Sequence, residues 1–328
     1  MPASANAHEG GAGLPRAETA SDQFPAFAAA NRPRIERALG ERLPVSAAVG
    51  TERLNEAVRA AVFPGGKRLR PLITLAGSRL CGAADEQALT LSCVVEFIHT
   101  SSLVLDDLPG MDDAELRRNS PALHIAYGEG VAVLAAVALL NQSYALMASA
   151  ARGETGVAHL PRLIEEAAAC VGSSGMIAGQ AAELALSGAG TGGSDWPSRE
   201  LKTTGLMRLM MVAGAVISGA PEGHVAALAA YGESLGKAYQ IYDDLADAAG
   251  DHGSTGKSVR QDSRHSRPTT VEGLSHAQVR ALAAGVLDEG KRALSVFGDH
   301  EGARLLRSAA DHIVAGLNPA GASAGRDR

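Results

Sequence analysis

Residues 86–113 read EQALTLSCVVEFIHTSSLVLDDLPGMDD. Asp85 stands before this run as a cap, and Pro109-Gly110 closes it. The stretch predicts a helix over 86–108, ended near Leu108 because Pro109 has no backbone donor. At 1.5 Å per residue such a helix is about 30 Å long. Outward from it the same signature recurs. Ala, Leu, Glu and Arg dominate and β-branched clusters are few, so helices are expected at about 22–40, 47–63, 67–81, 129–152, 156–171, 174–187, 197–219, 222–249, 275–297 and 299–316. Ser275 caps one start, while Pro64-Gly65-Gly66, Gly82 and Gly250 mark stops. No fixed-period repeat and no linker divides this pattern. The expectation is all-α: one domain over 21–316, a bundle of long helices able to enclose a deep central cavity. Residues 1–20 and 317–328, rich in Ala, Gly, Ser and Pro, read as disordered tails.

Composition narrows the function classes. Apolar residues make up 46% of the 328, enough for a sizeable core, while aromatics are only 3%. A net charge of −6 gives no footprint for nucleic acid and no cationic face for a membrane. Cys81, Cys93 and Cys170 are odd in number, far apart and set in apolar stretches, so buried reduced thiols are expected. The N-terminus lacks the apolar core of a signal peptide, and the longest apolar run, Val131 to Leu140, is short for a membrane span. A soluble, cytoplasmic protein is the expectation.

Two acidic segments carry the chemistry. In the first, Asp106 and Asp107 sit at a helix end and Asp112 can fold back after a tight turn. In the second, Gln240-Ile241-Tyr242-Asp243-Asp244-Leu245-Ala246-Asp247, Asp243 and Asp247 share a helix face with Gln240 one turn earlier. Like charges at that spacing repel, so a cation should compensate them. Hard oxygen ligands without His or Cys suit Mg²⁺, which binds through few carboxylates plus substrate phosphates. Ca²⁺ in an EF-hand is disfavoured, because the spacing and the Gly and Glu positions do not match.

An anionic substrate needs cations, and four short segments supply them: Gly65 to Pro71 (GGKRLRP), Arg117-Arg118-Asn119, Lys202-Thr203 and Gly256-Lys257-Ser258. Gly65 and Gly66 expose backbone N–H groups at a helix start, which favours phosphate. Arg70 offers a bidentate fork and Lys67 a point charge. His99 lies two turns before Asp106 on the same face. Each pair alone would read as an exposed helix end and His99 alone as a core histidine; the set, alternating with the acidic clusters, is what informs. Gly256-Lys257-Ser258 is not a P-loop, since Gly250 is one residue too far upstream and follows a helix.

From about Phe63 to Thr270 the order of motifs resembles that of the trans-prenyl diphosphate synthases, the farnesyl, geranylgeranyl and longer-chain enzymes. FPGGKRLRP resembles the family's glycine–lysine–arginine motif, and DDLPGMDDAELRR its first aspartate-rich motif. GQAAEL (179–184) and KTTGLM (202–207) resemble the middle motifs. YQIYDDLAD resembles the second aspartate-rich motif, and the segment through Gly256, Lys257 and Asp262 resembles the family's stretch directly after that motif. The resemblance implies the isoprenoid synthase fold and condensation of isopentenyl diphosphate with an allylic diphosphate. It further implies three Mg²⁺ ions per site, replaceable by Mn²⁺, and a homodimer. Isopentenyl diphosphate would be held by Gly66, Lys67, Arg70, His99 and Arg118. The allylic diphosphate would be held by Arg117, Lys202, Thr203, Gln240 and Lys257, the last four acting in catalysis. Asp106, Asp107, Asp112, Asp243, Asp244 and Asp247 would bind metal.

The chain departs from the pattern at four positions, all bearing on rate and fine geometry: Leu105 for a frequent His, Asn119 for Gly, Val137 for Asp and Glu183 for Asp. Bulky aromatics at the place of Ser101 stop the growing chain early in this family; Ser101 and its neighbour Ser102 are small, which favours a twenty-carbon geranylgeranyl product over farnesyl. Ordinary serines bonding back to helix carbonyls are the plainer reading of the pair. A class I terpene cyclase would need no second-substrate cations and would line its pocket with aromatics. A non-catalytic regulatory subunit would be expected to lose aspartates, and both motifs are intact.

Overall fold

The computed structural model describes residues 23–189, 196–249 and 273–316. The predicted tails, Lys257 and Asp262, and the side chain of Asp247 lie outside the described residues.

Helices dominate: α1 (Gln23–Glu41), α2 (Glu52–Val62), α3 (Leu69–Leu80), α4 (Asp85–Asp106), α5 (Leu123–Tyr127), α6 (Glu129–Ala150), α7 (Gly153–Val171), α8 (Met176–Ala189), α9 (Trp196–Ile217), α10 (Glu222–Ala249), α11 (His276–Ala293) and α12 (Glu301–Gly316). A 3₁₀ turn, Leu294–Phe297, follows α11 where the sequence predicted a continuous helix. Two two-residue strands, β1 (Leu116–Arg117) and β2 (Ser120–Pro121), pair antiparallel. The long helix first quoted ends at Asp106, two residues before its predicted limit. Its cap position is Ala84, whose N–H donates to the Gln87 side chain. Asp85 instead pairs with Arg34 and Arg79. Ser275 caps as expected, accepting from the Gln278 N–H.

Two helices form the centre. Every residue of α4 from Ala88 to Ile98 is buried, and so is every residue of α9 from Leu209 to Ile217. A helix apolar on all sides must be enclosed on all sides. Helix α4 packs on α3, α6 and α9, while α9 also meets α7, α8 and α10. By length and composition α4 and α6 each reach the size of a membrane span, but α4 is 78% buried within the protein. Helix α6 is the exception to enclosure, with Val133, Leu134, Val137 and Tyr144 facing outward.

Close approach, rather than loops, sets the register around α9. A Cβ on Gly179 of α8 would stand 2.2 Å from the Lys202 backbone nitrogen, and one on Gly236 of α10 would stand 2.9 Å from Thr204 Cα. Both glycines let a neighbouring helix touch the Lys202–Thr204 stretch of α9 from either side.

Candidate active site

The first acidic segment is built by the end of α4. Asp106 is the last helical residue, and the chain turns back at once: the Asp112 N–H donates to the Asp106 carbonyl at 2.9 Å and the Asp113 N–H to the Leu108 carbonyl at 3.1 Å. The fold-back expected of Asp112 is therefore made by its backbone. Asp113 takes a left-handed φ of 47°, which aspartate tolerates better than most residues.

The adjacent aspartates have separate fates. Asp107 is 2% exposed, and its carboxylate accepts the Arg117 guanidinium fork, with Nε at 3.0 and 3.1 Å and Nη2 closer still. Burial alone would lower the Arg117 pKa; the Asp107 hydrogen bond and charge outweigh it, and the net shift is upward. Arg118 and Asn119 form the two-residue turn between β1 and β2, at φ 53° and 61°. A two-residue hairpin with both φ positive is the turn that asparagine and glycine serve best. Asn119 thus keeps the backbone shape that glycine would give. The turn sends Arg118 away from its neighbour: a Cβ on Gly66 would lie 3.7 Å from Arg118 Nε.

Arg118 belongs to a cationic cluster. Burial lowers its pKa, and the nearby charges of Arg68, Arg117 and Arg70 lower it further against the pull of Glu96. Arg70 Nη1 lies 3.4 Å from His99 Nε2, and its guanidinium sits 5.3 Å from the centre of the Tyr239 ring. Arg70 Nε is buried without a hydrogen-bond partner among the described residues. Gly66 and Lys67 are exposed beside it. Arg70, His99 and Arg118, with Gly66 beside Arg118, thus come together from α3, α4, the hairpin turn and the strap before α3, whereas Lys67 is exposed and its charge reaches His312.

The second acidic segment meets the first through α9. Lys202 Nζ lies 2.8 Å from Glu183 Oε2 and 3.4 Å from Asp106 Oδ2. The next residue, Thr203, donates to Gln240 Oε1 at 3.2 Å, and Gln240 Nε2 donates to Asp244 Oδ1 at 2.8 Å. Asp244 is buried and Asp243 half-buried. Burial raises the Asp106 pKa; Lys202 opposes that shift, while Asp112 and Glu183 add to it. Burial would lower the Lys202 pKa, but Asp106 and Glu183 together hold it above its ordinary value.

The donors suit a hard cation. Asp106 and Asp112 repel one another, and both offer only oxygen. Among the described residues no three Asp, Glu, His or Cys side chains converge as a cage. Carboxylates placed singly fit an ion that completes its shell with water and phosphate.

The two serines behave differently. Ser102 donates back to the His99 carbonyl at 2.9 Å, as a helical serine commonly does. Ser101, 3% exposed, donates across to the Ala136 carbonyl of α6 at 2.8 Å. Sequence reasoning did not single out Arg68, Glu96 or Tyr239, which the structure brings beside Arg118 and Arg70. For Tyr239 a signal existed, since it stands one turn before Asp243 on the helix carrying the second acidic segment.

The comparisons with known proteins converge. Residues 51–281 match the family profile described as polyprenyl synthetase. The farnesyl diphosphate synthase of Bacillus subtilis is 35% identical over 231 residues, covering 69% of this chain and 78% of that protein. A chloroplastic geranylgeranyl pyrophosphate synthase of Arabidopsis thaliana is 34% identical, covering 77% of this chain and 71% of that protein. Among solved structures, an apo FPP/GFPP synthase from Zymomonas mobilis superposes with a TM-score of 0.77 at 32% identity, over 90% of this chain and 99% of that one. A geranyltransferase from Helicobacter pylori, solved with magnesium and isoprenyl diphosphate, gives 0.74 at 27% identity, over 92% and 98%. With its all-helical isoprenoid synthase fold and its motifs in order, this chain belongs to the polyprenyl synthetase family of trans-prenyl diphosphate synthases.

Proposed function

We propose that this chain condenses isopentenyl diphosphate with dimethylallyl, geranyl or farnesyl diphosphate and that its main product is geranylgeranyl diphosphate. The observation that carries the reading is the pairing of both acidic helices with consecutive residues of α9: Lys202 with Asp106, and Thr203 with Gln240. One diphosphate between them would be gripped from both sides. Asp106, Asp112 and Asp243, with Asp247 by resemblance, would hold Mg²⁺, which when bound with the substrate supplies the positive charge that makes the diphosphate a good leaving group. Asp107 and Asp244, each already hydrogen-bonded by a neighbour, act by fixing Arg117 and Gln240.

Lys202, Thr203 and Gln240, joined by Lys257 according to the resemblance, orient the allylic diphosphate. Its C1–O bond breaks and the electron pair leaves on the diphosphate. Lys67, Arg70, His99 and Arg118 hold isopentenyl diphosphate so that its double bond faces C1. The double-bond electrons form the new carbon–carbon bond, and the released diphosphate accepts the proton then lost. No side-chain nucleophile is needed, and closure must exclude water from the cation.

The product reading rests on the small side chain of Ser101, at the place where the resemblance puts the aromatic chain stop, with its hydroxyl tied to α6. The Bacillus relative's name favours farnesyl diphosphate as the second reading. A homodimer is supported by the uncovered apolar face of α6, which a second copy would cover. Incubation with isopentenyl diphosphate, Mg²⁺ and each allylic primer, with sizing of the products, tests these readings. A twenty-carbon product is expected, shortened by Ser101→Phe. A fifteen-carbon stop in the unaltered chain would favour the second reading, and cyclised products without isopentenyl diphosphate would overturn the class. Asp243→Ala should lower turnover by about a thousand-fold with the helical spectrum unchanged.

A further inference from the structure

Between Lys67 and Arg70 stands an arginine that touches no substrate in the mechanism above. The exposed pair Gly66-Lys67 gives way abruptly to Arg68, whose side chain is 0% exposed. Arg68 is the cap of α3, with a left-handed φ of 53°. Its guanidinium is engaged within the protein on every side. Nε donates to Glu36 Oε1 at 2.8 Å, and Nη2 donates to Glu36 Oε2 at 3.1 Å and to the Val62 carbonyl at 2.7 Å. Nη1 donates to Glu96. The strap wraps around this group so tightly that a Cβ on Gly65 would lie 1.9 Å from Arg68 Cζ.

The partners explain what is held. Glu36 belongs to α1 and Glu96 to α4, where it stands three residues before His99. Arg32, also on α1, donates to the Lys67 carbonyl at 2.7 Å. The strap bearing Gly66 and Lys67 is thereby clamped to α1 and to the turn of α4 that carries His99. Glu96 also lies within electrostatic reach of Arg118. A guanidinium with two carboxylates has no net positive charge to offer a phosphate. It has instead a fixed planar fork, and a fork holds geometry where an ammonium would not.

We propose that Arg68, with Glu96 and Glu36, is the positioning unit of the isopentenyl-diphosphate half-site, holding Gly66 and Lys67 in register with Arg70, His99 and Arg118. The inference rests on the substrate assignment made under Proposed function. It distinguishes itself from simple fold maintenance by substrate: one half-site should loosen while the other does not.

Arg68→Lys keeps the charge, but one ammonium cannot span Glu36, Glu96 and the Val62 carbonyl together. Steady-state kinetics of the purified full chain should show KM for isopentenyl diphosphate raised about ten-fold, as expected when a binding group is displaced by a fraction of its contact distance. KM for the allylic primer, and kcat with isopentenyl diphosphate saturating, should stay within about two-fold. Glu36→Gln, on the solvent side of the unit, should give the same selective change at about three-fold, and it decides the matter if Arg68→Lys does not fold. An unchanged KM for isopentenyl diphosphate, or an equal rise for both substrates, overturns the proposal. The unaltered chain is assayed alongside; if it fails to condense the two diphosphates at all, the assignment beneath the proposal is what fails.

Discussion

Lys202 shows how much single positions decide. It stands between Glu183 and Asp106 because α8 comes within contact of its backbone at Gly179. Gly179→Ala would drive a methyl group into the Lys202 backbone, which must then move. Such overpacking costs about 2 kcal/mol. A lower urea midpoint and a turnover reduced about ten-fold are expected together, because the displaced helix carries the lysine. Glu183, the departure from aspartate, gains a meaning here: its longer side chain reaches Lys202 at 2.8 Å. At this scale the sequence was informative about residue type and face, and less so about pairing. Spacing identified Asp106, Asp112 and Gln240, yet it could not say which member of Asp106-Asp107 would turn inward. That depends on Arg117, which a two-residue hairpin ten positions away brings to Asp107. Arg68 escaped for a related reason: a motif shows its charge, but only the folded chain shows that the charge is spent on Glu36 and Glu96.

Helix α6 has two unlike faces, and both are apolar. Ala132, Ala135, Ala136 and Leu139 are buried, while Leu134 and Val137 are 57% and 53% exposed on the other side. Val137 adds to the outward face. If a second copy covers this face, Leu134→Glu combined with Val137→Glu should convert a dimer in sedimentation velocity to a monomer; a dimer that persists would place the interface elsewhere. The capped start of α11 offers a smaller test. Ser275→Ala removes the acceptor for the Gln278 N–H and should cost about 1 kcal/mol in thermal or urea unfolding. Elements were legible in proportion to their length. Long helices declare themselves through composition and breakers, whereas α5 and the β1–β2 pair, five and two residues long, are set by neighbours rather than by period.

The whole molecule keeps its thiols neutral. Burial pushes Cys170 up to about 11 and Cys93 up to about 12, and burial also raises Tyr231, whose hydroxyl donates to the Leu306 carbonyl. In the unfolded chain a thiol titrates near 8.5. The folded values are raised, so this contribution to stability is complete below about pH 8.5 and is lost as pH climbs toward 11 and 12. Each buried thiol should remove up to about 1.4 kcal/mol per pH unit in that window. Urea midpoints between pH 7 and 10 should therefore fall, and Cys93→Ala should flatten the curve. The all-helical bundle was readable at this scale because the sequence carries almost no strand signal, but the order of packing was not. That α9 would be the shared neighbour of α3, α4, α7, α8 and α10 depends on close approaches at glycine that only the assembled chain displays.

Because Lys202 and Thr203 are adjacent, α9 is sensitive to its own phase. Inserting a single residue ahead of them would rotate both by about 100° and disconnect the two acidic helices in one stroke. The phase of α9 therefore tolerates no drift, because both acidic helices are joined through that one pair of residues.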